Sequence, residues 1–211
     1  MSVPDDRSTR STGDARATLV PGARGAAATG GLGDVRATAW GVTEAETAAR
    51  YRCDEVLPQA PGRWLRAAPV AAAAPTVFRR LCQLRAAPYS YDLLDNFARR
   101  SPRELLPWCW DLEPGQTVMT IFTLESFVAD REMTLVMKPG GPTRVFGELA
   151  LTYQVVSCDG GRSRLVAALR VAGGDSWPAR VRRRALAWGD LVMMRKQLRT
   201  LAALAAADER G

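Results

Sequence analysis

The chain has 211 residues and a mass of 22.9 kDa, which allows one ordinary domain with a tail but hardly two full ones. Apolar residues make up 47%, yet 34 of the residues are alanine, so the core must rest on fewer large side chains than that figure suggests. Histidine is absent, which excludes Ser-His-Asp and Cys-His nucleophile systems, His-containing zinc and non-haem iron sites and His-ligated haem, while the net charge of +7 comes almost wholly from arginine.

Residues 1 to 37 are rich in Gly, Ala, Ser, Thr and Arg and nearly devoid of large side chains, so they read as a disordered tail ahead of a domain over 38–211. Gly25 to Gly31 has the spacing of a phosphate loop, but Gly31 stands where that loop needs Lys. An N-terminal extension, 38–62, begins near Trp40. In it, Thr43 with Glu46 makes a capping box for a short helix to about Arg52, and Pro58 to Gly62 form a loop. Residues 63–70 alternate as a first strand, and Pro75 then opens a helix with Val77, Phe78 and Leu81 on one face.

From residue 117 the apolar period becomes two. Strands are predicted over 117–127 and 132–137, divided by the polar turn Ala129-Asp130-Arg131, with a further turn at the Pro-Gly-Gly-Pro stretch 139–142. In the strand 146–156, Leu149, Leu151, Tyr153 and Val155 form the face expected to be covered, opposite Glu148, Ala150, Thr152 and Gln154. Asp159-Gly160 predicts a tight hairpin into a strand over 163–172. After Trp177-Pro178, Leu191, Met194, Leu198, Leu201 and Ala205 recur at helical steps. This is a long amphipathic C-terminal helix, with Gly189 permitting a bend and the main part opening at Asp190.

Cys53, Cys82, Cys109 and Cys158 stand too far apart for a C-x-x-C pair and are expected to be free thiols. With no secretory h-region and no apolar run of membrane length, the expectation is a cytoplasmic protein with no membrane span. The arginine clusters Arg99, Arg100, Arg103 and Arg180, Arg182 to Arg184 lack interleaved aromatics, so no nucleic-acid partner is expected, nor any metal or other cofactor.

Four strings, PTVFRRL at 75–81, QLRAAPYSYDLLDN at 83–96, RRSPREL at 99–105 and WGDLVMMRKQLRTL at 188–201, together with the element order, resemble the START-like superfamily. These are the SRPBCC or helix-grip proteins, which include polyketide cyclases and lipid-transfer domains, and the resemblance is narrower to an actinobacterial subgroup. It spans about residues 40–207. It implies an α+β fold in which a curved antiparallel sheet wraps the long C-terminal helix, with short helices after the first strand and a helix-grip core over 63–207. It further implies a cavity between sheet and helix that takes a hydrophobic or aromatic small molecule, lipid or polyketide-like. A cyclase or aromatase-like enzyme and a protein-interaction module without a ligand are the alternatives, because one fold serves all three.

Tyr89, Tyr91, Asp92, Asp95 and Asn96 form the densest polar and aromatic group, able to line a pocket or equally to cap helices and turns. Tyr153 is the sheet residue best placed to put a hydroxyl into a cavity, or equally a buried tyrosine satisfied by a backbone carbonyl. Glu125 shares strand parity with Met119, Ile121 and Phe127, as an inward carboxylate or one half of a surface ion pair. On the C-terminal helix, Met193 and Met194 suit a cavity wall or the core, and Arg195, like Arg85, could hold a ligand anion or stand in solvent. No nucleophile and base are paired by spacing.

Overall fold

The computed structural model describes residues 37–89 and 102–211. Its centre is a seven-stranded sheet in the order β1-β2-β7-β6-β5-β4-β3. The strands are β1 Ala39–Trp40, β2 Gly62–Val70, β3 Thr117–Val118, β4 Phe122–Val128, β5 Glu132–Met137, β6 Leu149–Cys158 and β7 Arg162–Val171. Every neighbouring pair is antiparallel except β1 with β2, where Ala39 stands opposite Leu65. Among the described residues five α-helices accompany the sheet: α1 Glu44–Ala48, α2 Arg52–Val56, α3 Ala74–Cys82, α4 Gly141–Phe146 and α5 Trp177–Asp208. A curved, mostly antiparallel sheet holding a long C-terminal helix is the helix-grip architecture.

Strand alternation assigns the two faces. Trp64, Ala68 and Val70 of β2, Met133 and Leu135 of β5, Leu151, Tyr153 and Val155 of β6, and Leu165, Ala167 and Leu169 of β7 form one core with α3 and α5. Within α5 the residues packed inward are Ala187, Met194, Leu198, Leu201 and Ala205, with Gln197 among them. Arg80 of α3 clamps Asp208 at the far end of this helix through both its Nε and Nη2. The helix runs for 32 residues as one element, with the arginine-rich stretch and the part from Asp190 joined through Gly189. Its outward side carries the exposed Trp177, Val181, Trp188 and Val192 at steps of four, seven and four. No helix among the described residues is long and apolar enough to cross a membrane.

The other sheet face is covered as well, which the alternation of β6 did not predict. Leu65, Ala67, Ala150, Val166 and Ala168 pack with Tyr51 and Cys53 of the N-terminal extension. The capping box forms as expected, Thr43 N donating to Glu46 Oε2 at 2.7 Å and Glu46 N to Thr43 Oγ1 at 3.2 Å. The helix it starts, however, ends at Ala48, and a second short helix follows after an extended Ala49. Glu46 receives Arg164 of β7 in a bidentate pair, and Asp54 pairs with Arg63 at 3.2 Å. Thr152 is fully buried here, its Oγ1 accepting from Cys53 N at 2.8 Å and lying 2.9 Å from Thr134 Oγ1. Ala37, the first described residue, is buried, and its carbonyl accepts from Arg66.

The strand predicted over 117–127 is instead the hairpin β3-β4. Met119 and Thr120 both take left-handed backbone, at φ 47° and 64°, and reverse the chain where the apolar pattern reads straight through. Farther along, β4 carries a bulge between Leu124 and Ser126. The Pro-Gly-Gly-Pro turn leads into α4, so Phe146 ends a helix and β6 starts at Leu149.

Candidate functional site

Between the inner sheet face and α5 lies a cavity of about 470 Å³. Its walls are mostly apolar: Leu149, Leu151, Leu169 and Val171 from β6 and β7, Phe122 and Met137 from β4 and β5, and Leu186 and Met194 from α5. The β3-β4 turn Met119-Thr120-Ile121 supplies part of the wall, so two residues in a backbone conformation that L side chains seldom adopt stand at the site. Phe146 of α4 and Met193 of α5 also line it while remaining exposed, which places them at its rim. Gly189 lines it too, and a Cβ there would meet nothing within 4 Å.

Polar groups gather at one pole, where Asp190, Met194 and Gln197 succeed one another along the inner stripe of α5 and face Tyr153 of β6. The Tyr153 hydroxyl donates to Gln197 Oε1 and lies 3.8 Å from Met194 Sδ. Gln197 in turn donates through Nε2 to the Pro88 carbonyl at 2.6 Å and to Met119 Sδ at 3.3 Å, tying the chain on either side of the site to the helix. Burial, then the Asp190 charge, pushes the Tyr153 phenol up and keeps it neutral, against the Gln197 hydrogen bond.

Behind Asp190 stands Arg66, fully buried on the helix-facing side of β2 between Trp64 and Ala68. Its Nη2 lies 3.0 Å from Asp190 Oδ2, an ion pair. The guanidinium spends its aligned N–H groups on main-chain carbonyls: Leu65 at 3.0 Å, Ala37 at 2.7 Å and Ala187 at 3.3 Å. Burial raises the Asp190 carboxyl to about 6, with Arg66 pulling it the other way.

The residues singled out from sequence separate clearly in space. Tyr153 and Met194 line the cavity, and Met193 is at its rim. Tyr89 is buried in the main core with left-handed backbone, φ 54°, and is not a lining residue, although its neighbour Pro88 is. Tyr91, Asp92, Asp95 and Asn96 lie outside the described residues. Glu125 is exposed and does not enter the site. The bulge is the reason: pairing places Leu124 against Leu135 and Phe127 against Met133, so the covered residues are three apart and Glu125 is the extra one turned out. Arg195 is exposed on the outer side of α5, its guanidinium 5.5 Å from the Trp40 ring centre. Arg85 serves a loop, donating to the carbonyls of Trp108 at 2.6 Å and Asp111 at 2.8 Å. Asp190, Gln197 and Arg66 are the polar residues that sequence reasoning missed. Their signal was a polar residue on an otherwise apolar stripe: Arg66 between Trp64 and Ala68, and Asp190 and Gln197 flanking Met194.

Among the described residues no group of three His, Cys, Asp or Glu side chains is arranged to hold a metal. No protein-family model and no curated protein matches the chain. Among solved structures it is similar to a START superfamily protein from Mycobacterium smegmatis, at 12% identity and a TM-score of 0.39, over 70% of this chain and 97% of that one. It is similar also to the di-domain ARO/CYC StfQ from the steffimycin biosynthetic pathway, at 11% identity and a TM-score of 0.44, over 71% of this chain and 52% of that one. A third likeness is to Ara h 8.0201, at 8% identity and a TM-score of 0.44, over 69% and 97% of the two chains. At these levels the likeness is one of chain path, and what the cavity does must be argued from its own residues.

Proposed function

We propose that the protein binds a hydrophobic or aromatic small molecule, lipid or polyketide-like, between the sheet and α5. The observation that carries this reading is the cavity itself: about 470 Å³, walled mostly by aliphatic, aromatic and thioether side chains, with Asp190, Gln197 and Tyr153 gathered at one pole. That volume lies in the range of small-molecule sites, and a few convergent polar groups in an apolar wall are what orients a ligand. Methionines at the wall and rim let the site adapt to an irregular outline. An interaction module with a filled interior has no use for such a space.

The test is displacement of a neutral environment-sensitive naphthalene dye from the full chain by a panel of fatty acids, long-chain alcohols, flavonoid-like phenols and aromatic polyketides. Saturable displacement by at least one class is expected. A protein that takes up neither dye nor any panel member would remove the reading.

One observation favours a second reading, a cyclase or aromatase-like enzyme. Asp190 is an ionisable group at the cavity wall whose carboxyl is raised to about 6, a value suited to taking and returning a proton near neutral pH. Conversion of a bound poly-β-ketone by wild type, lost in D190N while binding persists, would favour the enzyme over the carrier.

A further inference from the structure

We infer that the cavity selects a hydrophobic ligand whose polar end is an uncharged hydrogen-bond donor, a hydroxyl or phenol, received by the Asp190 carboxylate, and that it turns carboxylates away. The inference rests on the binding reading above and narrows it to a ligand class.

Of the described residues that line the cavity, Asp190 alone carries a full charge. Its counter-charge does not reach the space: Arg66 is not a lining residue, and its aligned N–H groups are taken by the Leu65, Ala37 and Ala187 carbonyls. A ligand carboxylate entering here would meet a like charge in an apolar wall, with no cation among the described lining residues to receive it.

The neighbouring polar groups share the same sense. Tyr153 spends its one hydroxyl hydrogen on Gln197 Oε1, so a ligand meets only its lone pairs. The Gln197 amide nitrogen is engaged by Pro88 and Met119. Asp190 Oδ2 is turned to Arg66 at 3.0 Å, which leaves the other carboxylate oxygen to accept from a ligand. The pole therefore offers acceptors and wants donors. Trp64 and Thr120, elsewhere in the lining, are neutral. Arg66 already stands 3.0 Å from the carboxylate on its far side, so a ligand need bring only a donor and not a second cation.

Calorimetry on the full chain with two matched series tests this. One is biphenyl bearing 4-hydroxyl, 4-methoxy or 4-carboxylate, and the other is dodecanol, its methyl ether and dodecanoate. In each series that binds, the hydroxyl compound should bind at least tenfold more tightly than its ether and its carboxylate at pH 7.5. In D190N, whose amide brings N–H donors to the pole, the hydroxyl-to-carboxylate ratio should shrink to within about threefold, with far-UV circular dichroism reporting the fold.

A second readout needs no variant. Arg66 from β2 and Tyr153 from β6 are the ionisable groups that bear on Asp190, and neither changes charge between pH 5 and 7.5. The wild-type ratio should therefore narrow as pH falls through about 6, where Asp190 gains a proton it can donate. Carboxylates that bind as tightly as the hydroxyl compounds, or a ratio indifferent to pH, would overturn the inference and leave the binding reading standing. Failure of every compound in both series would end both.

Discussion

Arg66→Met is the most informative single change to the architecture around the cavity. It keeps the length of the side chain but strips Asp190 of its counter-charge, 3.0 Å away, and removes a donor from each of three main-chain carbonyls. Arg66 is fully buried and the Asp190 side chain is 18% exposed, so solvent cannot make good the loss; breaking one side of such a pair costs about 3 to 5 kcal/mol. The pH profile separates the charge from the lost packing. In the wild type the Asp190 carboxyl titrates at about 6 when folded, against an ordinary value of 3.8. Between those values the folded protein holds a proton that the unfolded chain has released, so this group makes stability fall as pH rises from about 4 to 6, with no further change above. Removing Arg66 takes away the influence that lowers this value, and the window extends upward. Urea denaturation should therefore show R66M losing about 3 to 5 kcal/mol at pH 8 and clearly less at pH 5, where the lone carboxyl is protonated. The double variant R66M/D190L, an apolar pair, should regain much of the loss, giving a large coupling term in the double-mutant cycle. An R66M penalty below about 1 kcal/mol, or one equal at pH 5 and pH 8, would refute the reasoning.

Further outcomes can be checked independently. Leu198→Ala and Leu201→Ala, both buried where α5 meets the sheet, should each cost about 2 to 5 kcal/mol in urea denaturation. Tyr153→Phe leaves Gln197 Oε1 without its donor and should lower stability by about 1 to 3 kcal/mol with the fold intact by circular dichroism. Gly189→Leu places a side chain in open space at the cavity wall and replaces a glycine inside a helix, so the melting temperature should hold or rise while dye uptake falls. All four cysteines should titrate with a thiol reagent after denaturation without reduction; in the native protein only Cys158, the exposed one, should react quickly.

The sequence foretold the fold where local chemistry and tertiary packing agree. The Thr43–Glu46 box, the Pro75 helix start, the Asp159-Gly160 turn and the alternation of Leu149 to Val155 each read correctly because the deciding groups lie within a few residues of one another. Reading failed where a single backbone event resets the pattern. Nothing in Thr117 to Phe127 marks Met119 and Thr120 as a left-handed pair, since neither is Gly, Asn or Asp. The bulge at Glu125 shifts parity by one residue and so reverses the side on which that carboxylate falls. Covering of the outer face could not be seen along β6, because Tyr51 and Cys53 reach Ala150 and Ala168 from about 100 residues away. Tyr153 was legible as a cavity residue, whereas Asp190 looked like a helix opening. Its meaning depends on Arg66, a strand residue 124 positions earlier, and only the packing of α5 on β2 brings the two together.

The central claim, that the space between the sheet and α5 is built to hold a small molecule, is met most directly by native mass spectrometry of the full chain purified gently from its own host. The account predicts a second charge-state series, heavier by one small molecule, that collapses to the bare chain on collisional activation and releases a neutral hydrophobic compound bearing a hydroxyl. A chain that flies only at 22.9 kDa, and that still takes up none of the alcohols, phenols, fatty acids or polyketides when they are added, would contradict it.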